Sequence, residues 1–302
     1  MTSFNTARAR RLLACVLFLA AGGLLPAAEQ PLTVMSFNIR YGTAQDGEHH
    51  WDLRRPLLME VLAEEDADIV GLQEALHFQI EQIVRHRPLY AFVGVGRDDG
   101  GTAGEYAAIL YRRERLRVVE SGTFWFSSAP SKPASTSWGN RIPRICTWAR
   151  FADADGRRFY VFNVHLDHES QHSRERSVRL LAERIRQRTG RGEPVIVTGD
   201  FNADEQNRAT RWLLGERVVG MPRRGRVRLV DTFRRLHPDA PGAGTFTGFE
   251  FGRIDEQKID YVLTSPQVTV LAARIVQTSR DGRYPSDHFP VVARIRLDAA
   301  TP

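Results

Sequence analysis

The sequence predicts an α/β protein of the α+β kind, in which two mainly antiparallel sheets pack face to face with helices outside. Three observations lead there. Strand-like and helix-like segments alternate through the chain after its first 28 residues. A weak internal repeat divides that region into two similar halves. Several buried-looking strands also end abruptly in carboxylates, carboxamides or imidazoles, where α/β sheets place their ligands.

Residues 1–28 stand apart from this pattern. Arg8, Arg10 and Arg11 form a basic start, Leu12 to Leu25 is an apolar stretch of 14 residues, and Pro26-Ala27-Ala28 follows as a small-residue end. That is the layout of a secretory signal peptide, too short for a spanning helix. The chain is therefore expected to be exported, to the periplasm or the extracellular space, with the leader cleaved or kept as an anchor. Cys15 lies near the start of the apolar run rather than after it, which argues against lipidation. Residues 29–302 contain no linker and no low-complexity stretch, so a single domain is expected there. Cys146 is the one cysteine left in it, so no internal disulfide is available. The formal charge of +6 includes three leader arginines. Lysine occurs only at Lys132 and Lys258, so the arginine richness reads as a general bias rather than a selected basic surface. Arg223, Arg224, Arg226 and Arg228 read as a solvated loop.

The first strand is Leu32 to Ile39. A helix follows at Arg54 to Glu65, with Leu57, Leu58, Val61 and Leu62 on one face. Asp68 to Leu72 reads as a strand and His77 to Arg87 as a helix. Strands recur at Tyr90 to Val95, Ala107 to Tyr111, Leu116 to Ser121, Thr147 to Phe151 and Phe159 to His165. Asp153-Ala154-Asp155-Gly156 is a hairpin turn, and its twelfth position, Val164, rules out a calcium loop. A helix at Gln171 to Arg188 leads to the strand Val195 to Thr198. A short helix is expected at Arg208 to Leu214, and strands at Lys258 to Leu263, Val268 to Val276 and Val291 to Leu297. Residues 215–257, rich in Gly and Arg, are expected to form a surface excursion over one end of a sheet.

The repeat is visible in strand endings. Phe37-Asn38 closes a strand, and after a helix the next strand closes on Glu74. Phe162-Asn163 and Asp200 do the same, at Asn-to-acid intervals of 36 and 37 residues. Tyr106 to Leu110 echoes Asp260 to Leu263, and Cys146 to Arg150 echoes Pro290 to Arg294. An approximate twofold would bring the polar strand ends of both halves to one rim.

That rim collects Asn38, Glu74, Glu105, His165, Asp200, Asn202, Asp260, Asp287 and His288. Crowded carboxylates raise one another's pKa unless a cation sits among them. Oxygen donors without cysteine point to magnesium or manganese rather than structural zinc. Gly94, Gly96, Gly100 and Gly101 lack the Lys and Ser or Thr of a phosphate loop and read as a hairpin tip. A carboxylate fixes the tautomer of an imidazole and supports its charge, so Asp260 would orient His288 and Glu105 would orient His165. Asp200 with Asn202 suits orientation of an attacking water. His49, His50, His77, His86, His172 and His237 read as surface or structural residues, and His168 stays unassigned.

Six motifs, in order, now carry a resemblance: Ser36-Phe37-Asn38-Ile39-Arg40, Leu72-Gln73-Glu74, Asn163-Val164-His165-Leu166-Asp167-His168, Gly199-Asp200-Phe201-Asn202, Lys258-Ile259-Asp260-Tyr261 and Ser286-Asp287-His288-Phe289-Pro290. Together they resemble the endonuclease/exonuclease/phosphatase superfamily, whose fold is like that of pancreatic deoxyribonuclease. The resemblance spans roughly Thr33 to Leu297. It implies a four-layered αββα sandwich and a metal-dependent phosphoric ester hydrolase: a phosphodiesterase, nuclease or phosphatase. It makes Glu74 the chief metal ligand, with Asn38 and Asp287 completing the site. Asp200 and Asn202 would position water and phosphate. His288, held by Asp260, would stabilise the transition state, with His165 and Glu105 assisting on the other side. Arg144 matches a phosphate-contacting arginine.

Trp51-x-x-Arg54 and Asp66 to Val70 look more like the deadenylase and phosphatase branches. The Ile39-Arg40-Tyr41 run after Asn38 is unlike the abasic-site repair branch. The expected partner is a phosphoester, either nucleic acid or a small or lipid-derived compound, met by a monomer that makes no stable membrane insertion once the leader is gone. Substrate specificity is expected to reside in His168, the loop around Arg97 to Gly104, and residues 215–257. The alternative is a catalytically inactive exported binding protein of the same fold.

Overall fold

The structure, a computed structural model, describes residue 1, residues 30–254 and residues 257–297. The expected leader over residues 1–28, Met1 aside, lies outside the described residues. The elements run β1 (Leu32–Asn38), α1 (Trp51–Glu65), β2 (Ile69–Gln73), α2 (His77–His86), β3 (Tyr90–Val93), β4 (Ile109–Arg112), β5 (Leu116–Trp125), β6 (Ile145–Asp153), β7 (Arg158–His165), α3 (Gln171–Gln187), β8 (Val195–Asp200), α4 (Arg208–Leu213), β9 (Val230–Asp231), α5 (Thr232–Leu236), β10 (Asp260–Thr264), β11 (Val268–Ile275) and β12 (Val291–Leu297). No helix among the described residues is long and apolar enough to cross a membrane.

Two six-stranded sheets form, in the orders β11-β12-β1-β2-β4-β3 and β5-β6-β7-β8-β10-β9. The pairs β1/β2 and β7/β8 are parallel, each joined through a helix, and the others are antiparallel. The internal repeat is therefore topological. Each sheet reads as a hairpin, a parallel pair, then two antiparallel strands. The sequence echoes fall on equivalent strands: β1 with β7, β2 with β8, β4 with β10 and β12 with β6.

Alternation along each strand builds the layers. Met35, Phe37, Val70 and Leu72 point outward to pack with Leu58, Val61 and Leu62 of α1 and Ile80 and Ile83 of α2. Tyr160, Phe162, Val164 and Val197 pack with Val178, Leu181 and Ile185 of α3 and with Trp212. The intervening positions, among them Leu32, Val34, Ile69, Phe159, Val161, Ile196, Val262 and Ala293, fill the space between the sheets.

That middle layer changes character along its length. On the inward face, β1 reads Leu32, Val34, Ser36, Asn38; β7 reads Phe159, Val161, Asn163, His165; and β8 reads Ile196, Thr198, Asp200. Beyond the apolar part, Asn163 Nδ2 donates to the Leu72 and Ala108 carbonyls at 2.8 and 2.9 Å. Its Oδ1 accepts from Gln73 Nε2 at 2.6 Å and Thr198 Oγ1 at 3.0 Å. Ser36 Oγ accepts from the Gly199 amide of the facing sheet at 2.9 Å. Gly71 is required beside this cluster, because a Cβ there would lie 2.7 Å from Asn163 Oδ1 and collide with Thr198 Oγ1. Asn163 is thus no counterpart of Asn38. It sits opposite Thr198, two residues before Asp200, whereas Asn38 sits opposite Gln73, one before Glu74. That offset leaves Asn163 one step deeper, as a tie between the sheets.

Replacing Asn163 by Leu removes both donations across the sheets and should cost about 2–3 kcal/mol. Urea unfolding measures this directly, and wild-type stability in the variant would contradict the assignment.

Candidate active site

The polar ends of the middle layer open into a cleft of about 330 Å³. Glu74, His165, Asp200, Asn202, Asp287 and His288 line it, together with Arg40, Arg97, Glu105, Ile142, Arg144, His168 and Phe246. Asn38 and Asp260 lie just beneath, each fully buried. Three of the residues that follow strands take left-handed backbone conformations without being glycine: Arg40 at φ 55°, Glu74 at 60° and Asn202 at 46°. Such conformations cost energy and turn the chain sharply, and they cluster at functional sites.

Asn38 is the hub. Its Nδ2 donates to Glu74 Oε1 at 3.1 Å and Asp200 Oδ2 at 3.0 Å, one carboxylate from each sheet. Its Oδ1 accepts from the Arg40 amide at 3.0 Å. Asp200 Oδ1 accepts from the Asn202 amide at 2.8 Å, while Asn202 Nδ2 donates to the Leu166 carbonyl. Burial, with the neighbouring Asp260, raises the Asp200 carboxyl to about 7.

His288 and Asp260 pair as the sequence predicts: Nδ1 lies 2.8 Å from Oδ2. Burial disfavours the imidazolium, but Asp260 and then Asp200 outweigh it and hold the ring charged well above its ordinary range. Its Nε2 faces the cleft, 3.8 Å from Asp200 Oδ2. Thr245 Oγ1 accepts from the amides of Ile259 and Asp260 and so fixes the turn that carries the acid.

The pairing of His165 with Glu105 does not form. Glu105 Oε2 is 4.0 Å from His165 Nδ1, beyond hydrogen-bond reach. Glu105 instead grips Arg97 through two bonds of 2.7 and 2.6 Å, a fork geometry an imidazole cannot match. Burial raises the Glu105 carboxyl to about 7, Arg97 opposing. His165 Nε2 accepts from Arg144 Nη1 at 2.9 Å, and His168 Nδ1 accepts from Arg144 Nη2 at 2.7 Å. Burial and the two arginines hold His165 neutral, its pKa well below the ordinary value. Among the described residues the carboxylate within ion-pair range of Arg144 is that of Asp167, at 3.7 Å. Two imidazole nitrogens, from His165 and His168, therefore aim a guanidinium whose charge is left for a ligand.

Two carboxylate groupings could attract a cation. Glu74 and Asp287 both face Arg40, at 4.0 and 3.9 Å, without hydrogen-bonding to it. Arg40 is committed to Asp46 through bonds of 3.0 and 2.9 Å. Burial, with Glu74 adding to it, raises the Asp287 carboxyl. This oxygen-only set, under-neutralised by its neighbours, fits a hard divalent ion. Ligand atoms of Asp200, Asp260 and His288 also lie within 4.8 Å of one another and form a second candidate metal site. There, however, the 2.8 Å bond between His288 and Asp260 occupies two of the three donors.

Arg97, His168 and Phe246 line the cleft, from the segments expected to set specificity, although the sequence assigned no individual role to Arg97 or Phe246. Arg40 stood inside a quoted motif but received no role.

The profile of the Endonuclease/Exonuclease/phosphatase family matches residues 35–288. A Bacteroides thetaiotaomicron structure of an endonuclease/exonuclease/phosphatase family protein is similar at 32% identity and TM-score 0.81, covering 90% of this chain and all of that one. A mannosyl-6-phosphatase from the same organism is 33% identical with TM-score 0.77, covering 87% and 99% of the two chains. Nocturnin of Drosophila melanogaster is 24% identical over 283 residues, which span 82% of this chain and 42% of Nocturnin. With the fold, the strand-end cleft and the profile in agreement, this chain belongs to the endonuclease/exonuclease/phosphatase family.

Proposed function

We propose that the protein is an exported, divalent-metal-dependent hydrolase that cleaves a phosphomonoester of a small polar compound, using Mg²⁺ or Mn²⁺. Family members hydrolyse phosphoesters. The observation that carries the reading is the convergence of the Asn38-bridged Glu74 and Asp200 with the charged His288–Asp260 pair in one cleft. Its volume of about 330 Å³ is at the small end for ligand pockets and suits one compact substrate. The likeness to a mannosyl-6-phosphatase supports a sugar phosphate within that class. The basic, apolar-centred start of the chain supports export.

Glu74 and Asp287, with Asn38 behind them, would hold the cation. Bound there, it would supply Lewis-acid polarisation of the phosphoryl group. Asp200, fixed by Asn38 and the Asn202 amide, accepts the proton of the attacking water as its oxygen bonds phosphorus and the ester P–O bond breaks, the departing alkoxide taking a proton from solvent to leave as the alcohol. His288 donates from Nε2 to a phosphoryl oxygen, and Asp260 stabilises the charge it carries while doing so. Arg144, aimed by His165 and His168, binds a second phosphate oxygen.

A panel of sugar phosphates, nucleotides, RNA, plasmid and a generic diester, each with Mg²⁺ or EDTA, tests this. Sugar phosphates should turn over fastest, and only with the metal; undiminished hydrolysis in EDTA would refute the metal reading. Asp200→Ala and His288→Ala should each lower turnover by about 10²–10⁴ while the fold persists. Full activity in either variant removes that residue from the mechanism.

The pH profile carries a separate expectation. Asp200 must be ionised to accept a proton, so kcat/KM should rise with pH along an acid limb set by its raised carboxyl, about 7 without metal. A nearby cation favours the carboxylate, so raising Mg²⁺ should move that limb to lower pH. A limb that ignores Mg²⁺ would separate Asp200 from the metal site.

A further inference from the structure

Arg54 is 3% exposed and lies in the first turn of α1, where the helix dipole disfavours a cation. Four of its five N–H donors meet main-chain carbonyls. Nε donates to His49 O at 3.0 Å, Nη1 to Ile39 O at 2.6 Å and Pro285 O at 3.1 Å, and Nη2 to Arg40 O at 2.8 Å. The rings of Trp51 and Phe249 lie 5.1 and 5.8 Å from the guanidinium. A buried guanidinium serving as an ion-pair partner would sit against a carboxylate; this one ties segments of main chain together.

Those segments lead into Asp287 and, through the Tyr41 amide, contact Glu74. Ile39 and Arg40 follow Asn38 and lead to Tyr41, whose amide donates to Glu74 Oε2 at 3.3 Å. Pro285 precedes Ser286, whose Oγ donates to the Asn38 carbonyl at 2.7 Å and lies 3.2 Å from Asp287 Oδ1. The His49 ring stacks on Phe249 at 4.5 Å. Phe249 belongs to the loop in which the Thr247 amide and hydroxyl donate to the Asp287 carbonyl at 2.7 and 3.1 Å. One planar fork therefore fixes the end of β1, the approach to Asp287 and the loop that braces it. An ammonium carries only three donors on a single flexible centre and cannot reproduce that fork.

We propose that Arg54 is a positioning residue: by clamping the Ile39–Arg40 turn to Pro285 it sets the separation of Glu74 and Asp287, and so how tightly the cleft holds a divalent cation. The inference rests on the metal-dependent reading above.

Calorimetric titration of Mn²⁺ into the substrate-free protein tests it, with melting curves recorded in EDTA for every variant. Arg54→Met removes charge and fork, whereas Arg54→Lys keeps the charge and loses the fork. Both should weaken Mn²⁺ binding by about tenfold or more, as loss of a supporting contact around a metal site does. Arg55→Ala, its partly exposed neighbour, should leave the affinity unchanged. A folded Arg54 variant that binds Mn²⁺ as tightly as the wild type overturns the proposal, even if its melting temperature falls. Failure of the lysine variant to fold also overturns it, by assigning Arg54 to folding instead. Wild-type affinity in Glu74→Ala marks a different failure, that of the cation site itself.

Discussion

The whole arrangement depends on a short layer of uncharged polar groups between the two sheets. Ser36, Gln73, Asn163 and Thr198 bond across a space that is otherwise apolar, and Gly71 lets the sheets approach closely enough for them to do so. Apolar packing alone tolerates sliding, because burial is non-directional. Hydrogen bonds with fixed donors and acceptors do not. The layer therefore sets the register of one sheet on the other, and one step further along the strands that register places Asn38 within 3.0 Å of Asp200.

The charged cleft is what this register makes affordable. Glu74, Asp200, Asp260 and Asp287 meet at the floor of the cleft, and burial shifts Asp200 and Asp287 toward the protonated state. Each half of the repeat responds differently. Asp260 is answered by an imidazolium, His288. Glu105, in the other half, is answered by a guanidinium, Arg97, which leaves the second imidazole neutral. The topological twofold is thus broken at its chemistry, giving one side of the cleft a charged histidine and the other an arginine aimed by His165 and His168.

Much of this was legible in the sequence. Buried-looking apolar runs that stop abruptly at polar residues located the strands that carry the site. The matched endings Asn38/Glu74 and Asn163/Asp200 announced a shared rim because polar groups at buried strand ends need partners, although Asn163 proves to lie one step deeper, between the sheets. The helix α1 was expected from Arg54 but begins at Trp51, since capping by the His50 side chain leaves no residue-type signature of the usual kind. Glu105 was misassigned because sequence spacing reports which half a residue belongs to, not which of two nearby cations it prefers. Arg97 and Phe246 arrive on irregular loops, where no periodicity relates position to direction. Arg54 was visible only as part of a helix-start motif, since a guanidinium bonded to carbonyls has no partner residue type to betray it.

The central claim is that the cleft holds its cation between Glu74 and Asp287, leaving His288 and Asp260 as a charged pair that acts on phosphate. Anomalous diffraction from crystals soaked with Mn²⁺ and inorganic phosphate tests it most directly. The account predicts a peak bounded by the carboxylates of Glu74 and Asp287, with the His288–Asp260 bond intact. A sole peak among Asp200, Asp260 and His288, with that bond broken, would contradict it.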